Sequence, residues 1–106
     1  MKLELVRRCW FENIHKCELT KELDKLTGLD TEEYYERFYH YIITDRLSEK
    51  DKCYPVRVPG GTVGGVWVDD DNIITKIVID TNYVVKTYPE DVNEQMKKFI
   101  GQKIEV

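Results

Sequence analysis

Two histidines, His15 and His40, are the side chains in this chain best suited to moving protons at neutral pH. With Lys16, Arg7 or Arg8 beside them to stabilise phosphate charge, they would make the acid and base of a metal-independent ribonuclease. Many ribonuclease toxins place helices ahead of an antiparallel sheet, so the reading has a structural counterpart. Two observations oppose it: both histidines lie on segments read as helix, and the chain is acidic. Each histidine therefore reads first as an ordinary surface or boundary residue. The thiols offer less. Cys9, Cys17 and Cys53 form no CxxC pair, and the step of two from His15 to Cys17 sends the side chains to different sides of a helix. No serine nucleophile motif is present, and two histidines with three scattered cysteines show no metal-ligand spacing. Neither a metal nor a cofactor is expected.

The stretch VPGGTVGGVWVDDDN, residues 58–72, raises two further possibilities. A phosphate-binding loop needs its glycine turn followed by Lys-Ser/Thr and a helix, so that amides and an ammonium converge. Here Gly64 and Gly65 lead into Val66, Trp67 and Val68, a strand without lysine; nor do Gly60, Gly61, Gly64 and Gly65 form the dinucleotide fingerprint. They read instead as a turn at Pro59-Gly60-Gly61 and a bulged or closely approached strand at Gly64-Gly65. Asp69, Asp70 and Asp71 lack the alternating oxygens, turn glycine and distant glutamate of a calcium loop. They read as an exposed hairpin tip, and a rigid acidic tip can enter a basic cleft and imitate phosphates.

Tyr34, Tyr35, Tyr39 and Tyr41 fall on one segment read as helix, where they point around more than one face. They cannot all enter a single core. Some must sit at a rim or an interface, where a ring with a polar tip adds contact area at low entropic cost.

The elements that would position these residues divide the chain in two. Val6, Trp10, Ile14 and Cys17 recur at helical spacing, which predicts a helix over about 2–16. Thr20 reads as the N-cap of a short helix carrying Leu23 and Leu26, with Gly28 ending it in the left-handed conformation. Asp30 and Glu33 form a capping box for a third helix, running through about Leu47 with Tyr34 or Tyr35, Phe38 and Ile42 on one side. After residue 48 the period changes to two. Four β-rich runs follow, Tyr54–Val58, Val63–Asp69, Ile73–Asp80 and Tyr83–Tyr88, and their short connections imply an antiparallel meander. Pro89 opens a last helix with Val92, Met96, Phe99 and Ile100 on its buried side. Gly101 stops it, and QKIEV adds a short edge strand. The expected fold is α+β in two layers and a single domain over 1–106: a helical part over 1–48, a four-stranded sheet over 54–88 and a C-terminal helix over 89–101.

Bulk properties narrow the function. A chain of 106 residues has room for one core. Sixteen basic against twenty acidic residues give a net charge of −4, which disfavours a nucleic-acid partner. The N-terminus has charges throughout and no unbroken apolar run, so neither a signal peptide nor a membrane span is expected. Three cysteines, an odd number, suit reduced thiols in a cytoplasmic protein.

In size, acidic charge, aromatic content and lack of an assembled catalytic motif, the chain resembles the immunity proteins of contact-dependent growth inhibition and related polymorphic toxin systems. The resemblance is one of profile over the whole chain and carries no residue over by position. It implies a non-catalytic bacterial binding protein that neutralises a nuclease-type protein toxin by occlusion. On this sequence, the contacts would fall to Trp67, Asp69, Asp70, Asp71 and the tyrosines Tyr34, Tyr35, Tyr39 and Tyr41. The alternatives are the His15/His40 ribonuclease and a homo-oligomeric regulatory or structural protein, in which an exposed edge strand or the tyrosine helix pairs with itself. The expected state is a monomer or a weak homo-oligomer.

Overall fold

In a computed structural model, which describes residues 1–8, 13–28, 40–45, 52–58, 61–80 and 89–105 (side chains of 89 and 90 excepted), the N-terminal segment is not helical. It forms two antiparallel strands, β1 (Glu4–Arg8) and β2 (Asn13–Lys16), with Glu4 opposite Lys16 and Arg8 opposite Asn13. The expected helix over about 2–16 is thereby corrected. Its helical stripe was one of two periods these residues can satisfy. The strand period was hidden because β1 is exposed along its whole length, so its residues show no in–out alternation.

Helix α1 (Glu18–Thr27) follows at once. Cys17, not Thr20, is its N-cap; Thr20 stands three residues in, where its hydroxyl accepts the Cys17 N–H at 2.9 Å and donates to the Cys17 carbonyl at 3.0 Å. Gly28 ends the helix with φ 78°, as expected of a left-handed glycine cap. Leu19 and Leu23 are fully buried on its inner side, each worth about 1.5–3 kcal/mol of burial. The expected helix from Asp30 to about Leu47 lies mostly outside the described residues, but its end is corrected: Ile42–Thr44 is a strand, β3.

Strands β4 (Cys53–Val58), β5 (Gly61–Val68) and β6 (Ile74–Ile79) complete the sheet, and the expected run Tyr83–Tyr88 lies outside the described residues. The sheet is a six-stranded antiparallel meander in the order β1-β2-β3-β4-β5-β6, not a four-stranded one, and three of its strands lie in the part expected to be helical. The α+β class stands. Helix α2 (Pro89–Met96) passes into a 3-10 turn (Lys97–Phe99), and Gly101 breaks the run with φ 93°.

The inward residues of β3–β6, such as Ile43, Val56, Val66, Ile77 and Ile79, form one cluster with Leu19 and Leu23 of α1 and Val92, Met96 and Phe99 from the C-terminal helical segment. The C-terminal residues then run between the two ends of the sheet. Lys103 bridges Ile73 beside β6, and Glu105 bridges Lys2 just ahead of β1. Where QKIEV was expected to add a short edge strand, only these two isolated bridges form.

Candidate partner-binding face and the buried histidines

The two glycines of GGVWV have separate jobs. Gly64 stands opposite Ile79, and a Cβ there would overlap the Val78 carbonyl oxygen, so only glycine allows the strands this approach. Gly65 faces away from the core, and a Cβ there would stand 2.7 Å from Cys53 Sγ and 3.2 Å from the Trp67 ring. The missing side chain makes room for the indole.

Strand pairing then assembles a patch around Trp67. Cys53 and Lys76 are its cross-strand neighbours, and Pro55 and Val78 flank Gly65. The Lys76 ammonium lies over the indole, 4.9 Å from the ring centroid, within cation–π range. Trp67 is half-buried and Val78 exposed. Lys76 and Val78 were not among the residues singled out from sequence. The alternation of ITKIV could have placed them beside Trp67, but the register shift between Trp67 and Val68 is invisible without the pairing.

The aspartates are unequal. Asp69 Oδ1 accepts the N–H groups of Asp71 at 2.9 Å and Ile73 at 3.0 Å, so this carboxylate shapes the turn. Asn72 follows in the left-handed region at φ 64°; its amide donates to the Ile104 carbonyl at 2.7 Å and its oxygen accepts the Tyr54 hydroxyl at 3.0 Å. Asp70 is paired with Lys52, whose ammonium holds its carboxyl below the usual range. Asp71 is exposed. The tip is thus acidic and tied down, with Asp70 and Asp71 outward and Asp69 committed to the turn.

Of the tyrosines, Tyr34, Tyr35 and Tyr39 lie outside the described residues. Tyr41 is fully buried, and burial pushes its hydroxyl up to about 12. Its ring serves the core and is not on a surface.

Both histidines are buried, His15 at 6% exposure and His40 at 5%. His15 Nε2 lies 2.7 Å from Asp45 Oδ1, and Asn13 donates to the other oxygen of that carboxylate at 2.9 Å. A carboxylate that orients an imidazole is half of a catalytic constellation. The other half is missing among the described residues: the second ring nitrogen, Nδ1, is buried without a hydrogen-bond partner. His40 sits beside an ion pair that sequence reading did not find. Lys16 Nζ donates to Asp24 Oδ2 and to the Tyr41 carbonyl, both at 2.5 Å, and Asp24 Oδ1 accepts the Tyr41 N–H at 2.8 Å. Burial lowers the Lys16 ammonium and raises the Asp24 carboxyl, with their mutual attraction opposing both shifts. Desolvation, and after it the Lys16 charge, holds His40 below the ordinary imidazole value. One signal was available: Asp24 shares a stripe with Thr20, Leu23 and Thr27 on α1, and an aspartate on an inward stripe demands a partner.

Lys16 is therefore committed inside the fold, while Arg7 and Arg8 stand on exposed β1. Of the groups proposed for ribonuclease chemistry, His15 is held against Asp45, and His40 lies beside the buried Lys16–Asp24 pair. Cys17 is buried, which raises its thiol, and neither Cys17 nor Cys53 is in a disulfide. Among the described residues, no group of three or more His, Cys, Asp or Glu side chains could hold a metal ion, and no helix is long and apolar enough to cross a membrane. An open groove of about 570 Å³ between α1 and the C-terminal turn is lined by Glu18, Lys21, Glu22, Lys25 and Lys98, which mix both signs of charge. Comparison with protein-family models, with curated proteins and with solved structures found no match.

Proposed function

We propose that this protein is a non-catalytic binding protein that neutralises a partner by occlusion, in the manner of an immunity protein blocking a nuclease-type toxin. The observation that carries the proposal is the β5–β6 hairpin. One face presents Trp67, held between Cys53 and Lys76 above a glycine, with Val78 exposed beside it. Its turn presents Asp70 and Asp71 on a backbone fixed by Asp69 and Asn72. An aromatic anchor and acidic groups on one preorganised element suit a basic cleft with an apolar floor. The partner is accordingly a protein with such a cleft, and the carboxylates occupy positions that substrate phosphates would take.

Capture from the native cell tests the reading. Immobilised protein retains a basic protein from lysate, and the variant Trp67→Ala/Asp70→Lys/Asp71→Lys does not. Asp69 is left in place because its loss would disturb the turn. Retention by wild type and variant alike rejects this face, and degradation of transfer RNA by the purified wild-type protein, abolished in His15→Ala, replaces the proposal with the ribonuclease.

A further inference from the structure

Asn72 stands between the acidic tip and the C-terminal segment, and it bonds to both. Its N–H donates to the Asp69 carbonyl at 3.0 Å, closing the turn that carries Asp70 and Asp71. Its own carbonyl accepts the Ile104 N–H at 2.9 Å, and its side-chain amide donates to the Ile104 carbonyl at 2.7 Å. Asn72 makes these bonds from the left-handed region, at φ 64°, a setting that asparagine tolerates better than most side chains. The segment it meets, residues 101–105, is a strap laid between two parts of the chain. At one end Gly101 donates to the Ile74 carbonyl and Ile74 donates to the Gln102 carbonyl, each at 2.8 Å. At the other, Glu105 donates to the Met1 carbonyl at 2.8 Å and accepts the Leu3 N–H at 2.9 Å. Between these ends Ile104 is 1% exposed and belongs to the core cluster. The apolar anchor of the strap is therefore also the residue that bonds Asn72. If Ile104 leaves the core, Asn72 loses two bonds at once.

We propose that the strap is a latch for the acidic tip. With Ile104 seated, Asn72 holds the turn that presents Asp70 and Asp71; with the strap released, the turn loses that hold. The two states differ by named contacts at two separate places, and a coupling of this kind runs both ways. A partner that grips the tip tightens the strap, and whatever loosens the strap weakens the preorganisation of the tip. That the latch governs binding rests on the reading of the tip as a contact surface. The latch itself is a property of the free protein.

Hydrogen exchange on the purified protein, read amide by amide, tests the latch without any partner. Asn72→Gly keeps a residue at ease in the left-handed region and removes the side-chain bond to Ile104. Ile104→Ala weakens the anchor and leaves Asn72 in place. Each variant speeds exchange about tenfold at both ends of the coupling: at Asp71 and Ile73 in the tip, and at residues 104 and 105 in the strap. The paired amides of β4 and β5, in the middle of the sheet, keep their wild-type rates. Tip amides unchanged in Ile104→Ala, strap amides unchanged in Asn72→Gly, or exchange quickened equally through β4 and β5 overturns the proposal. The two readings fail separately. Capture that fails while the exchange stays coupled removes the contact surface and leaves the latch, and uncoupled exchange removes the latch and leaves the contact surface.

Discussion

The interior changes character along the chain. Around β2, α1 and β3 it is polar: every buried polar or charged residue among the described ones (His15, Lys16, Thr20, Asp24, Thr27, His40 and Thr44) comes from this half. Around β4, β5, β6 and α2 it is aliphatic, with Val56, Val66, Ile77, Ile79, Val92 and Met96 in contact. Non-directional burial suits the second half, where similar side chains interchange at modest cost. The first half works by geometry. Asp24 reaches from α1 to the Lys16 side chain and to the Tyr41 backbone, so the ladder of charge and hydrogen bonds sets where the helix sits against β2 and β3. Buried polar groups of this kind specify an arrangement more than they stabilise it.

The strongest way to break that contrast is to remove one charge. Lys16→Met leaves Asp24 buried without the Lys16 charge and takes from the Tyr41 carbonyl the Lys16 donor, and we expect a loss of about 3–5 kcal/mol in urea unfolding. Adding Asp24→Asn, which keeps an acceptor for the Tyr41 N–H, recovers a large part of it. A loss of less than about 1 kcal/mol for Lys16→Met would show that the pair does not organise this half.

Steric substitutions probe the aliphatic half. Gly64→Ala drives a methyl into the Val78 carbonyl, which the strand pairing holds in place, and costs about 1–3 kcal/mol. Gly65→Ala costs less, because it meets the Cys53 thiol and the Trp67 ring, both free to shift. The paired variants separate backbone fit from side-chain fit, and an inverted order would contradict the register described here.

The smallest effect is a titration. His40 is held below its ordinary 6.5 in the folded protein, so the unfolded chain takes up this proton first as the pH falls. The His40 contribution is complete above 6.5 and declines as the pH drops below it. The Asp24 carboxyl is raised above its ordinary 3.8, so its protonation favours the folded state and works in the opposite sense at lower pH. Urea midpoints between about pH 7.5 and 5.5 therefore fall with acid in the wild type and fall less in His40→Gln. Equal slopes would remove His40 from the account.

Much of the aliphatic half was legible in residue order. VWV and the alternation of Ile73 to Asp80 mark strands because their buried positions are apolar, DDDN marks a turn, and Pro89 and Gly101 bracket a helix. The polar half was not. In β2 the buried positions include His15 and Lys16, so no hydrophobic period announces the strand, and β1 has no buried face at all. Tyr41 was grouped with its neighbours as a surface ring because Tyr34, Phe38 and Ile42 share a helical spacing. The strand at Ile42–Thr44 instead turns it into the core.

What the order of residues determined alone is local: the caps at Gly28 and Pro89, the turn at Asp69 to Asn72, the close approach at Gly64-Gly65, and the α+β class. These depend on backbone geometry and short-range periodicity, which neighbours in sequence settle between themselves. Tertiary structure alone decided which polar groups are inside. Lys16 is eight residues from Asp24 and 25 from the Tyr41 carbonyl, and neither position reveals the other. A charge can be buried only where its partners converge, and that convergence exists only once β2, α1 and β3 have come together.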